Sequence, residues 1–79
     1  SNQELLGEFM FMGLRKSSGA NLKEARERFG IDVLERFASE MEPFFQNGML
    51  LYDSERDVLK LTERGMELGN LIFEIFVTV

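Results

Sequence analysis

The chain has no cysteine and no histidine. Those two absences remove most of the reactive repertoire of a small protein. Disulfides, thiolate nucleophiles, cysteine-held iron–sulfur clusters and imidazole general bases have no residues to build them. Zinc nearly always binds through Cys or His, so it has no ordinary ligand set here. A chain without Cys also fits a reducing compartment, and a cytoplasmic location is expected. No apolar run approaches the ~18 residues of a spanning helix. No charged n-region and apolar h-region open the chain, so no secretory signal is expected either. Basic residues are scarce: 9 Lys and Arg face 14 Asp and Glu, a formal net charge of −5. Nucleic acid and acidic lipid both ask for a basic face, so neither is an expected partner. Proline occurs once, at Pro43.

What is present reads as one domain. The 79 residues are 44% hydrophobic and 29% charged, ordinary values for a globular protein. A chain this short buries only about 60% of its unfolded surface, so the core is modest. The opening Ser1-Asn2-Gln3 lacks a Met and is expected to be a tag or linker remnant of a longer native chain, with the domain proper at 4–79.

A first helix is expected over 4–16. Leu5, Phe9 and Met12 recur at helical spacing, and Leu6, Met10 and Leu14 form an adjacent row. Gly13 lies within that apolar arc, where a missing side chain admits a close neighbour. Phe11 points the other way. Arg15 and Lys16 fall where the helix dipole favours cations. A short second helix over 22–29 is predicted from Asn21 as N-cap, Glu24 three places on, and Gly30 as a left-handed stop. Lys23–Glu27 and Glu24–Arg28 are expected to pair along its wet side. Asp32 caps a third helix whose apolar residues run from Val33 to Phe45. Pro43 predicts a kink or break near 41–43. Residues 49–52 and 57–61 flank a polar turn and read as a β-hairpin, with Leu59 and Leu61 straddling Lys60. Thr62 caps a last helix. The order helix, helix, helix, hairpin, helix predicts a mainly α, winged-helix-like domain, in which the hairpin is the wing. A four-helix bundle is the alternative if the hairpin is only a loop.

That order raises DNA binding, but the charges oppose it. The third helix holds Asp32, Glu35, Glu40 and Glu42 against Arg36 alone, and the hairpin holds Asp53, Glu55 and Asp57 against Arg56 and Lys60. Phosphate is repelled by such a surface. Asp53, Glu55 and Asp57 alternate like calcium-loop ligands, yet Val58 stands where that loop needs Gly and Arg64 where it needs Glu. A solvated turn explains them better. Glu8 stands out among the acids because it sits among Phe9, Met10, Phe11 and Met12. It projects from the side opposite Gly13 and reads as a contact residue. The segment 68–79 carries eight apolar residues among twelve, more than a single inward stripe uses. Either the core stripe is thick, or a second face meets the rest of a longer chain or a second copy.

Five segments carry a family pattern: Glu8-Phe9-Met10-Phe11-Met12-Gly13-Leu14-Arg15, Arg28-Phe29-Gly30, Gly48-Met49-Leu50, Leu61-Thr62-Glu63-Arg64-Gly65, and Asn70 followed by Ile72-Phe73. Together they resemble the C-terminal domain of the oxygen-independent coproporphyrinogen III oxidase family, which includes haem chaperones. The resemblance covers nearly the whole chain, about 4–76, with Pro43 a departure from the pattern. It implies a parent of the radical S-adenosylmethionine (SAM) class acting in porphyrin or haem metabolism. That parent would carry an N-terminal catalytic barrel and a 4Fe-4S cluster on a CxxxCxxC motif. No such cysteines occur here, so the resemblance assigns no catalytic, cofactor or metal residue to this chain. It implies an accessory domain that packs on the barrel and helps to shape a tetrapyrrole site. Glu8, Phe11, Met12 and Arg15 are the candidate contacts to parent or substrate. Arg15 is suited to a propionate or a barrel carboxylate, and equally to the C-terminal end of its own helix. Haem would lack its commonest axial ligands, leaving Met and Tyr52. A transcriptional regulator and a self-associating module remain the alternatives.

Overall fold

The computed structural model describes residues 1–77. Val79, counted in the apolar C-terminal segment, lies outside the described residues. Helix α1 (Asn2–Leu14) starts earlier than expected because Ser1 caps it: the Ser1 hydroxyl accepts from the Glu4 backbone, and the Glu4 carboxylate accepts in return from the Ser1 amine. The Asn2 side chain donates to the Phe29 carbonyl at 3.3 Å, tying this end of α1 to the next helix. Of the two apolar rows on α1 only one is fully inside. Leu6, Met10 and Leu14 are buried, Phe9 is half-buried, and Leu5 and Met12 are exposed.

A two-residue strand β1 (Ala20–Asn21) leads straight into α2 (Leu22–Phe29), whose ends fall where the caps predict. The Asn21 side chain accepts from the Glu24 backbone at 3.0 Å, and Gly30 ends the helix at a φ of 68°. Of the two expected ion pairs, Arg28–Glu24 closes at 3.2 Å, and Lys23–Glu27 is not among the pairs formed between described residues. Asp32 caps α3 (Val33–Arg36), accepting from the Glu35 backbone at 3.2 Å.

The break that Pro43 allowed for is not at 41–43. It falls at Phe37, and α4 (Ala38–Gln46) runs through Pro43. Pro43 removes one hydrogen bond, to the carbonyl of Ser39, a residue on the exposed side of the helix. Phe37, by contrast, is buried edge-on against Phe76, with centroids 5.0 Å apart at 75°. Seating that ring sets the backbone at φ −111°, outside helical geometry.

Strands β2 (Leu50–Asp53) and β3 (Val58–Leu61) form the expected hairpin, with Leu50 opposite Leu61 and Asp53 opposite Val58. β1 adds to the other side of β3, placing Ala20 opposite Leu59, so the sheet is antiparallel in the order β1-β3-β2. Two residues are too few to show a strand pattern, and β1 exists only because β3 offers it an edge. The strict alternation expected of β3 fails at its start, where Val58 and Leu59 are both buried.

The last helix divides into α5 (Glu63–Glu67) and α6 (Gly69–Phe73), with the break at Leu68. Each half has its own anchor. Gly65 lies hard against the Met49 backbone, while Ile72 and the following Phe76 belong to the core beneath α1. A straight helix cannot meet both. The result is a mainly α domain with a hairpin wing and one apolar core through Leu6, Met10, Leu22, Leu59, Ile72 and Phe76. Among the described residues no helix is long and apolar enough to cross a membrane.

Candidate contact site on the first helix

Burying Leu6, Met10 and Leu14 turns the opposite side of α1 to solvent. Glu4, Glu8, Phe11 and Arg15 follow one another there at spacings of four, three and four residues, with Met12 beside them. All four residues expected as contacts, Glu8, Phe11, Met12 and Arg15, therefore share one exposed crest. Phe11 keeps 41% of its surface and Met12 61%. Phe11 is still held in place. Its ring meets Phe73 of α6 edge-on, with centroids 4.8 Å apart at 70°, and the Arg15 guanidinium lies 5.1 Å above it. Such contacts are worth about 0.5–1.5 kcal/mol each, enough to orient a ring that keeps much of its area in water. Arg15 also forms the C-cap of α1, so its partner here is Phe11 rather than an acid.

The crest separates two hollows. The first, about 410 Å³, lies between α1 and the β1–α2 segment, and Leu5, Phe9 and Met12 line it. Arg28 sits over Phe9 at 5.5 Å and over Phe29 at 5.0 Å, while pairing with Glu24. The second, about 330 Å³, lies between α1 and the C-terminal end, lined by Gly7, Phe11, Phe76 and Val77 with Glu4 and Glu8. Glu8 borders both. Two glycines bring the walls this close. A Cβ on Gly13 would stand 2.8 Å from the Ala20 Cα, and one on Gly7 2.9 Å from the Phe76 carbonyl oxygen. The close approach at Gly13 was legible as a gap in the apolar arc. Gly7 carried no such signal, because its neighbour lies almost at the other end of the chain.

A second polar cluster was not foreseen. The Asp57 carboxylate accepts from the Tyr52 hydroxyl at 2.7 Å and from the Arg26 guanidinium of α2, and the Asp57 carbonyl accepts from the Leu22 backbone at 2.9 Å. Asp57 takes a left-handed φ of 57°, which Asp tolerates better than most residues. Asp53 accepts from the backbones of Glu55 and Arg56 at 3.1 and 3.2 Å. The alternating acids that resemble calcium ligands thus have two structural tasks, bracing the turn and tying the wing to α2. Among the described residues no group of three His, Cys, Asp or Glu side chains is placed to hold a metal ion.

The two donors, Tyr52 first and Arg26 second, hold the Asp57 carboxyl below its ordinary value, and the same bond to Asp57 raises the Tyr52 hydroxyl. A carboxyl lowered by folding stabilises the domain above its unfolded pKa of about 3.9, and that contribution fades as pH falls through the lower folded value. A hydroxyl raised by folding contributes below about pH 10 and loses that contribution as pH climbs through the higher folded value. Asp57→Asn is therefore expected to flatten the acid limb of a melting-temperature profile, and Tyr52→Phe the alkaline limb. Unchanged limbs in both variants would remove this cluster from the stability of the wing.

Tyr52, the tyrosine left as a candidate haem ligand, thus donates its hydroxyl to Asp57 and serves the wing–α2 tie. The resemblance implies a 4Fe-4S cluster and S-adenosylmethionine for the parent only; this chain has no cysteine to ligate a cluster.

The HemN C-terminal domain model matches residues 1–68. The chain is 30% identical over 77 residues to the heme chaperone HemW of Lactococcus lactis subsp. lactis (strain IL1403). It is 35% identical over 77 residues to the heme chaperone HemW of Bacillus subtilis (strain 168). Each match takes in 98% of this chain and 20% of the relative, so the chain spans about a fifth of the length of these proteins. No solved structure matches it. The resemblance read from the five motifs is borne out, and the glycines within them mark places where the backbone has no room for a side chain or takes a left-handed turn. The chain belongs to the HemN C-terminal domain family.

Proposed function

We propose that the chain is the C-terminal accessory domain of a longer haem-handling protein, and that the α1 crest packs on the N-terminal catalytic barrel of that protein. The carrying observation is the gathering of Glu8, Phe11, Met12 and Arg15 on one exposed crest, with apolar surface that the domain itself leaves unburied. Leu5, Leu68, Leu71 and Val77 add to that surplus. The share of the relatives that this chain covers supports a larger neighbour over an independent module. In this reading the crest helps to shape a tetrapyrrole site, and the barrel supplies the radical SAM cluster. The names of the two relatives favour haem binding over coproporphyrinogen oxidation. A cytoplasmic setting belongs to the same proposal. A regulator that reads DNA is the weaker reading, because Asp32, Glu35, Glu40 and Glu42 are all exposed where a recognition helix would meet phosphate.

Hydrogen–deuterium exchange of residues 4–15 tests the docking. These amides are expected to exchange more slowly in the full-length parent than in the 79-residue chain. Equal rates would exclude the crest as the docked face. Haem titration of the full-length protein, set beside an assay of coproporphyrinogen decarboxylation, separates the two activities.

A further inference from the structure

Resting on that reading of the crest, we infer that the hollow between α1 and the C-terminal end receives an arginine or lysine side chain carried by the rest of the longer chain. Gly7, Phe11, Phe76 and Val77 give the hollow an apolar part, Gln3 adds a polar side chain, and the charged groups on the rim, Glu4 and Glu8, are both acidic. Among the described residues no Lys or Arg lines it. At about 330 Å³ it has room for one long side chain, since a water molecule takes about 30 Å³ of liquid. Long basic side chains suit such a place because the stem lies along apolar surface while the charged head reaches the polar rim. A guanidinium also meets a carboxylate through two parallel hydrogen bonds. Glu8 has no ion-pair partner among the described residues. Charge decides between the occupants. A second copy would bring the same two acids, and a formal charge of −5, against an identical rim. The rest of a longer chain is the occupant proposed, since this chain covers only 20% of its relatives' length.

The test compares exchange protection of residues 4–15 in the full-length parent and in its Glu8→Lys, Glu8→Gln and Glu55→Lys variants. Glu55 lies in the exposed turn of the wing and makes the same change of charge away from the hollow. Losing a hydrogen-bonded charge pair is expected to lower protection roughly tenfold in Glu8→Lys, less in Glu8→Gln, and not in Glu55→Lys. Melting of the three variants in the 79-residue chain verifies that each still folds. Slow exchange in the parent that survives Glu8→Lys would overturn the inference and leave the docking intact. Loss in Glu55→Lys as well would assign the effect to net charge and overturn it too. If the parent shows no protection over the isolated chain, the docking itself fails. Association of the 79-residue chain that is abolished by Glu8→Lys would make a second copy the occupant.

Discussion

Replacing Gly65 by alanine is expected to cost about 3 kcal/mol or more, read as a fall in the urea midpoint of the 79-residue chain at unchanged slope. A domain of this size has about 4–12 kcal/mol to lose. The cost arises because a Cβ at Gly65 would overlap the carbonyl oxygen of Met49 and stand 3.0 Å from its carbon. Both partners are backbone, so no side-chain rotation relieves the clash. The same carbonyl accepts from the Thr62 backbone at 3.0 Å. Thr62 in turn accepts from the Gly65 backbone at 3.1 Å and donates to the Gly48 carbonyl at 2.6 Å. Pushing Met49 away thus strains the whole junction between the hairpin and α5. Gly30→Ala is the comparison. Gly30 has a left-handed φ of 68° and nothing near a built Cβ, so only backbone strain of about 1–2 kcal/mol is expected. If both variants lost the same stability, the close approach at Gly65 would have no energetic weight.

Phe76→Ala is expected to lose about 3–5 kcal/mol, as large aromatic truncations in cores do. Phe76 is 1% exposed and packs edge-on against Phe37. It is also the residue whose carbonyl meets Gly7, so it seats the C-terminal end on α1 and floors the acidic-rimmed hollow. Phe76→Leu, which keeps most of the volume, is expected to cost under about 1.5 kcal/mol. Equal losses in the two variants would show that filled volume gives no rescue and that the ring itself, edge-on against Phe37, carries the contribution. Because Phe76 is shared between core and hollow, Phe76→Ala is expected to lower exchange protection of α1 even where the domain stays folded.

The four candidate contacts were legible as residues within a family motif, and helical spacing alone places Glu8, Phe11 and Arg15 along one line of α1. Which of the two apolar rows on α1 is fully buried was not legible, because both have helical period. Leu6, Met10 and Leu14 win because they meet the sheet and the C-terminal end together. Phe73, which backs Phe11, and Phe76, which floors one hollow, sit more than sixty positions further along the chain and join the site only through the fold. The Arg26–Asp57–Tyr52 cluster escaped for the same reason. Arg26 and Asp57 are 31 residues apart, and nothing local marks their pairing.

By itself the amino-acid order determined what short-range chemistry controls. Asn21, Asp32 and Thr62 start helices because their side chains accept the orphan backbone donors of the first turn. Gly30 stops one because it takes positive φ without strain. Apolar alternation around a polar turn made the hairpin, and the missing Cys and His removed thiol and imidazole chemistry from this chain. Tertiary structure decided where long-range contacts outweigh local preference. It broke the helices at Phe37 and Leu68, where anchors in different directions could not be met by one straight axis, and not at Pro43, whose single lost hydrogen bond lies on the exposed side of its helix. It drew β1 out of two residues because β3 had a free edge. And it set Glu8 between two hollows, because Gly7 and Gly13 let two distant segments close in on α1 from either side.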